Sequence, residues 1–341
     1  MTAPPASLAE IRAILPNLPS ADPAAIEAAQ ARQASLTKPA GSLGRLEELA
    51  IWLCGWQEAP APRLQRPRVL VFAGNHGVAK HGVSAFPPEV TVQMVQNFIN
   101  GGAAINQLCE LAGAELRVFE MALDRPTADF TEGPAMSDED CARAMAYGMM
   151  AIEPNLDVYG LGEMGIANST SAAAVSCALF GGEARDWVGP GTGVDSEGVK
   201  RKIAAVEAGL TANPTALSDP FEAMRCLGGH ELAAITGAVL AARMGRIPVV
   251  LDGYAATVAA AVLFKADPCA LDHCVVGHCS AEPAHRRLLE IIGKRPLLDL
   301  DMRLGEASGA ATALLLLKAA TGCHNGMATF AQAGVSDRDA R

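Results

Sequence analysis

Past residue 66 the chain repeats one arrangement: a short run of aliphatic and β-branched residues, a glycine-containing loop, then an alanine-rich stretch of helical length. The runs are RVLVFAG, ELRVFEMAL, LDVYGLGEMG, IPVVLDGY, HCVVGHC and PLLDLDMRLG. Between them lie VTVQMVQNFINGGAAINQLCELAG, STSAAAVSCALF, ATVAAAVLF, AHRRLLEII and ASGAATALLLLKAA. Parallel strands need crossovers of a dozen or more residues, and the crossover helices cover the sheet. The expected fold is therefore α/β, a mostly parallel Rossmann-like sheet with helices on both faces and these six runs as its clearest strands.

Ahead of this pattern, residues 7 to about 57 read as helices, with apolar residues at helical spacing in SLAEIRAIL, AAIEAAQARQASL and LGRLEELAIWLCGW. The stretch EAPAPRLQRPR, with Pro60, Pro62 and Pro67, then punctuates the chain, since each proline fixes φ and removes an amide donor. A small helical domain over residues 1–65 and a large α/β domain over 66–321 are the expected division. After Cys323 the tail reads as polar and weakly structured.

The 341 residues are 50% hydrophobic and 19% charged, which suits a packed core. A net charge of −10 at pH 7 argues against nucleic acid or an anionic membrane as a partner, so a small molecule is expected. Nine cysteines without a dense framework read as reduced thiols. No basic and then apolar leader opens the chain and no apolar run reaches roughly 18 residues, so a soluble, cytoplasmic protein is expected.

Five strand-end loops collect the functional residue types: GNHG (74–77), GEMG (162–165), DGY (252–254), GHCSAE (277–282) and LGEASG (304–309). Ligands of open parallel sheets bind beyond the carboxyl ends of the strands, so these loops together predict a site. GPGTGVDSEGVKRK carries Gly189, Gly191 and Gly193 ahead of a helix with Lys200 and Lys202. It reads equally as a glycine turn or a phosphate cradle, and matches neither the dinucleotide fingerprint nor the Walker loop. Glu163 lies where strand passes into helix and is placed to accept from ribose hydroxyls, and Asn168, Ser169 or Thr170 are candidate caps of that helix. Asp252 is followed by Gly253, so the double acidic pair of diphosphate-dependent phosphoribosyltransferases is incomplete and that chemistry is disfavoured.

His273, Cys274, His278 and Cys279 suggest a metal, but on a strand Cys274 and His278 would lie about 13 Å apart, too far for one zinc ion. Buried thiols are the expected reading, and no metal is predicted. Asn75, His76 and His81 surround a strand-to-helix junction and their roles stay open. Glu306, between Gly305 and a helix start, reads locally as a residue facing the helix dipole.

Read together, LTKPAGSLGRLE, GNHGVAKHGVSAFPPEVTVQMVQNF, INGGAAIN, LGEMGIANSTSAAA, GPGTGVD, LGGHELAAITGA, LDGYAATVAAAV, GHCSAEPAH and LDLDMRLGEASGA resemble, in order over residues 35 to 320, the nicotinate-nucleotide:5,6-dimethylbenzimidazole phosphoribosyltransferase family of cobalamin lower-ligand synthesis. The resemblance implies transfer of phosphoribose from nicotinate mononucleotide to 5,6-dimethylbenzimidazole with inversion, no cofactor, and a homodimer. It implies Glu306 as general base, because a pyridinium leaves readily whereas the incoming benzimidazole must lose its N–H proton. By the same carry-over, Glu163, Gly165, Asn168, Gly189, Gly191, Gly193 and Lys202 would bind the phosphoribose, with Lys200 as the competitor at the phosphate. Ser84, Phe86, Gln93 and Leu304 would border the benzimidazole. The family architecture also implies that C-terminal residues, about 322–341, complete the small helical domain. The rival readings are another nucleotide-dependent α/β enzyme and a non-catalytic nucleotide-binding protein.

Overall fold

The computed structural model describes residues 5–336, so the outermost parts of the expected helical domain, residues 1–4 and 337–341, lie outside the described residues. Five strands form one sheet: β1 (Pro67–Ala73), β2 (Glu115–Glu120), β3 (Val158–Met164), β4 (Val249–Leu251) and β5 (Cys274–Val276). Their order is β2-β1-β3-β4-β5 and every pairing is parallel. The expected α/β class holds.

Strand pleating divides the core in two. Leu70, Phe72, Tyr159, Leu161 and Leu251 face one side, where they pack with the helices Asp138–Met150, Asn168–Phe180, His230–Met244 and Tyr254–Ala266. Their neighbours Val69, Val71, Val158, Val250 and Val275 face the other, against the helices Arg45–Trp56, Ala104–Ala112 and Ser308–Gly326. Burial on both faces is why β1 alternates no polar residues into its aliphatic run.

The sixth expected strand does not form. PLLDLDMRLG makes one isolated parallel bridge, His278 to Leu298, with backbone bonds Leu297 N to Val276 O (2.9 Å) and Leu298 N to Gly277 O (3.0 Å). Asp301 then takes φ +55, a left-handed conformation that cannot continue a ladder. The segment between the second and third strands and the stretch after residue 213 hold further helices, Asp138–Met150, Pro220–Leu227 and His230–Met244, that strand-centred reading passes over.

Segments from the N- and C-terminal parts of the described residues meet. Arg32, on the helix Pro23–Ser35, donates to the carbonyls of His324 (2.6 Å), Asn325 (3.0 Å) and Met327 (3.3 Å), and Leu36 pairs antiparallel with Thr329. The tail is thus more ordered than its polarity suggests: the helix Ser308–Gly326 runs past Cys323, and Thr329 caps a short helix, Phe330–Ala333. No helix among the described residues is long and apolar enough to cross a membrane.

Candidate active site

Strand order 2-1-3-4-5 reverses direction between β1 and β3, and a crevice beyond their carboxyl ends is where open parallel sheets bind ligands. Glu163 stands there, inside β3 rather than in the loop after it. The chain turns through Ala167 at φ +74 into the helix Asn168–Phe180. Ala167 occupies the cap position with no side-chain bond, so Asn168, Ser169 and Thr170 are not the caps expected of them. Instead Asn168 donates to the Glu163 carboxylate and Ser169 accepts from Lys202 at 3.0 Å. Burial and the neighbouring acids Asp252, Glu231 and Glu306 push Glu163 up to about 8, against the opposing effect of Asn168.

One end of the cleft is basic. Lys202, on the helix Ser196–Ala212, is only 1% exposed and donates to Ser169 and to the Gly189 carbonyl (2.8 Å). Burial holds its ammonium down at about 8, partly offset by Glu282. Gly191, at φ +59, donates its amide to Glu282 at 2.7 Å, and Arg303 donates to the Gly191 carbonyl at 2.9 Å. Lys200 instead points outward, paired with Glu197 at 2.8 Å. The buried Lys202 ammonium and the Ser169 hydroxyl beside this glycine turn can hold a phosphate, the Gly191 amide being taken up by Glu282.

Glu306 sits in three successive left-handed residues, Gly305 (φ +81), Glu306 (+59) and Ala307 (+59). Two glycines make room for this turn. A Cβ on Gly162 would fall 2.3 Å from the Ala307 nitrogen, and one on Gly305 would fall 2.7 Å from Glu163 Oε1. The turn therefore lies directly on β3, with Glu306 N donating to Glu163 O at 3.0 Å. Glu306 is 5% exposed, and burial first, then Asp252, raises its carboxyl to about 7.

Ser84, Glu163, Gly165, Asn168, Gly191, Lys202 and Leu304 line this one cleft. Gly189 and Gly193 shape its loop without lining it, and Glu306 is buried beside Leu304 and Gly305. Phe86, 51% exposed, and Gln93, also exposed, stand outside the lining. Sequence reasoning assigns no role to Ser280, Glu282 and Arg303, which also line the cleft. Ser280 and Glu282 carry a signal, the GHCSAE loop, whereas Arg303 falls in a run that reads as a strand. Asn75, His76 and His81 do not line it. His76 is buried between Glu231 (2.7 Å) and Ser171 (2.9 Å), Asn75 donates to Leu123 O, and His81 pairs with Asp129.

Among the described residues no three His, Cys, Asp or Glu side chains converge as a metal-ligand set. His273 bonds to the Val239 carbonyl, and burial lowers it to about 3 and raises Cys274 to about 12. A larger cavity of about 670 Å³ opens beyond the end of β2, between Arg125, Arg143, Tyr147, Arg225 and His230. Arg143 and Arg225 there are paired with Glu139, Asp140 and Glu222, whereas His230 Nδ1 has no hydrogen-bond partner among the described residues.

A family model described as phosphoribosyltransferase matches residues 18–335, which sets the class of the protein. Nicotinate-nucleotide–dimethylbenzimidazole phosphoribosyltransferases of Sinorhizobium medicae and Rhizobium etli are each 57% identical to it over 329 residues, covering 96% of this chain and 97% of theirs. The chain belongs to the nicotinate-nucleotide–dimethylbenzimidazole phosphoribosyltransferase family. Two crystal structures from Thermus thermophilus, one described as this phosphoribosyltransferase and one as CobT, superpose with TM-scores of 0.85 and 0.86 at 41% and 42% identity. They cover 93% and 92% of this chain and 99% of each solved chain.

Proposed function

We propose that the protein transfers phosphoribose from nicotinate mononucleotide to 5,6-dimethylbenzimidazole, giving α-ribazole 5′-phosphate and nicotinate. The bond from ribose C1′ to the pyridinium nitrogen breaks, its electron pair leaving with nicotinate. A bond from C1′ to the benzimidazole nitrogen forms on the opposite face, which inverts the configuration. The proton lost by benzimidazole goes to Glu306. In this reading Lys202, Ser169 and the Gly189–Gly193 loop take the phosphate, Glu163, Gly165 and Asn168 the ribose, and Ser84 and Leu304 the flat base, with Phe86 and Gln93 closing over it from outside the cleft.

The observation that carries the proposal is Glu306 itself. It is a buried carboxylate raised to about 7, on a strained turn that shares a backbone bond with Glu163, and a base titrating near neutral pH is suited to proton removal. The reaction draws on no cofactor or metal. Purified protein given both substrates is expected to release α-ribazole phosphate and nicotinate in equal amounts, followed by chromatography. Folded protein that forms neither would overturn the assignment.

The same reading takes the protein as a cytoplasmic homodimer. Residues 1–65 with the C-terminal stretch from about 322 form its small helical domain, and 66–321 its catalytic domain.

A further inference from the structure

Asp252 reads in sequence as half of an acidic pair, yet it does not face the cleft. It follows β4, is 1% exposed, and its Oδ1 accepts the amides of Gly309 (2.7 Å) and Ala310 (3.0 Å). These are the first-turn amides of the helix Ser308–Gly326, which leaves the turn carrying Glu306. His278 lies beside it, Nε2 3.7 Å from Asp252 Oδ1 and likewise 1% exposed. The ring is pressed on the same helix start, since a Cβ on Gly309 would fall 1.9 Å from its Cδ2. Asp252 Oδ2 and both His278 ring nitrogens have no hydrogen-bond partner among the described residues. A buried carboxylate with one free oxygen is costly, and three residues in a row at positive φ cost roughly 1–3 kcal/mol at each non-glycine position.

We propose that Asp252 is a positioning residue for Glu306, tying the helix behind the Gly305–Ala307 turn to the end of β4 and turning its charge on Glu306 rather than on a ligand. The inference rests on the reading of Glu306 as the base. The groups facing this pair are Glu163 from β3, His278 from the loop after β5, and the helix amides. After burial, Asp252 is the other cause that raises Glu306, and it also raises Glu163. Burial raises Asp252 itself, against the opposing effects of His278 and the amides of Gly309 and Ala310, and where Asp252 is ionised Glu306 holds its proton more tightly beside it.

Asp252→Asn separates tether from charge, because the amide oxygen still accepts from Gly309 and Ala310 while the negative charge is gone. The acid limb of its kcat–pH profile is expected to move about one unit to lower pH, with the nucleotide KM within about twofold of wild type. Asp252→Ala, which loses the tether as well, is expected to lose at least about tenfold in kcat, part of which Asn restores. Should the Asn variant not fold, Asp252→Ser, a smaller neutral acceptor, is read in the same way.

Acid limbs that coincide, with Glu306→Gln inactive, would overturn the role of Asp252 and leave the base reading intact. Turnover by Glu306→Gln would overturn the base reading instead. In that case the Glu306 carboxyl band, taken as the infrared difference against Glu306→Gln and titrated with and without Asp252→Asn, decides the inference. An unshifted band ends it.

Discussion

A single glutamate carries the chemistry proposed for this protein, and its surroundings make that role expensive. Replacing the Glu306 carboxylate by an amide removes the base and little else, so Glu306→Gln is expected to lower turnover by about 10²–10⁴-fold with nucleotide binding retained. Steady-state kinetics beside a nucleotide-binding isotherm checks this, and near-normal turnover would end the assignment. The same substitution carries a prediction for stability. The ordinary glutamate value is 4.5, and in the fold Glu306 is raised to about 7. Between those values the unfolded chain releases a proton that the folded chain keeps, so stability falls as pH rises through the window and stays low above it. Glu306→Gln is therefore expected to melt like wild type near pH 4 and at a higher temperature than wild type near pH 8. The gain is at most about 3 kcal/mol at 1.36 kcal/mol per pH unit. Equal melting curves at pH 8 would show that the carboxylate is not held at a cost.

At the scale of elements, the decisive contact is a turn seated on a strand. Gly162 in β3 and Gly305 in the turn have no Cβ where one would strike the Ala307 backbone and the Glu163 carboxylate. Gly162→Ala places a methyl 2.3 Å from a backbone nitrogen that cannot rotate away. Overpacking of this kind costs about 1–3 kcal/mol, and the turn must lift off β3 to relieve it. A melting point several degrees lower and at least about a tenfold loss of kcat are expected together. Loss of stability with unchanged kcat would show that the turn's seat does not matter to the reaction. The two glycines are visible in YGLGEMG and RLGEASG, but their partnership is not, because a long stretch of chain separates them.

The whole molecule is two apolar cores on either side of one sheet, and the site lies over the edge where both end. The arrangement of helices across both faces is readable from alternation alone, since apolar strands with helical crossovers have few other solutions. PLLDLDMRLG misleads because its apolar residues make a strand-like run, whereas Asp301 at positive φ breaks pairing after one bridge. The proposed homodimer belongs to this scale. Light scattering on the purified protein is expected to give twice the 35.3 kDa chain mass, and a mass of one chain at working concentration would remove the proposal.

Local sequence determined what kind of molecule this is: strand runs and crossover lengths specify the parallel sheet, and ordered motifs from LTKPAGSLG to RLGEASGA specify the family. Glu163 was conspicuous locally, beside glycines at a strand end, whereas Glu306 and Lys202 came forward only through the family resemblance, since Glu306 by itself reads as a helix-start residue. Tertiary structure decided which charge does what. Lys202 is buried against Ser169 while Lys200, two residues earlier, pairs with Glu197 in solvent, a difference set by the packed face of one helix. Asp252 became the tie for a distant helix because its strand end faces residues far along the chain, at Gly309 and Ala310. Burial and neighbouring charge depend on such distant contacts, so pKa and partnership are properties of the folded chain and local spacing cannot contain them.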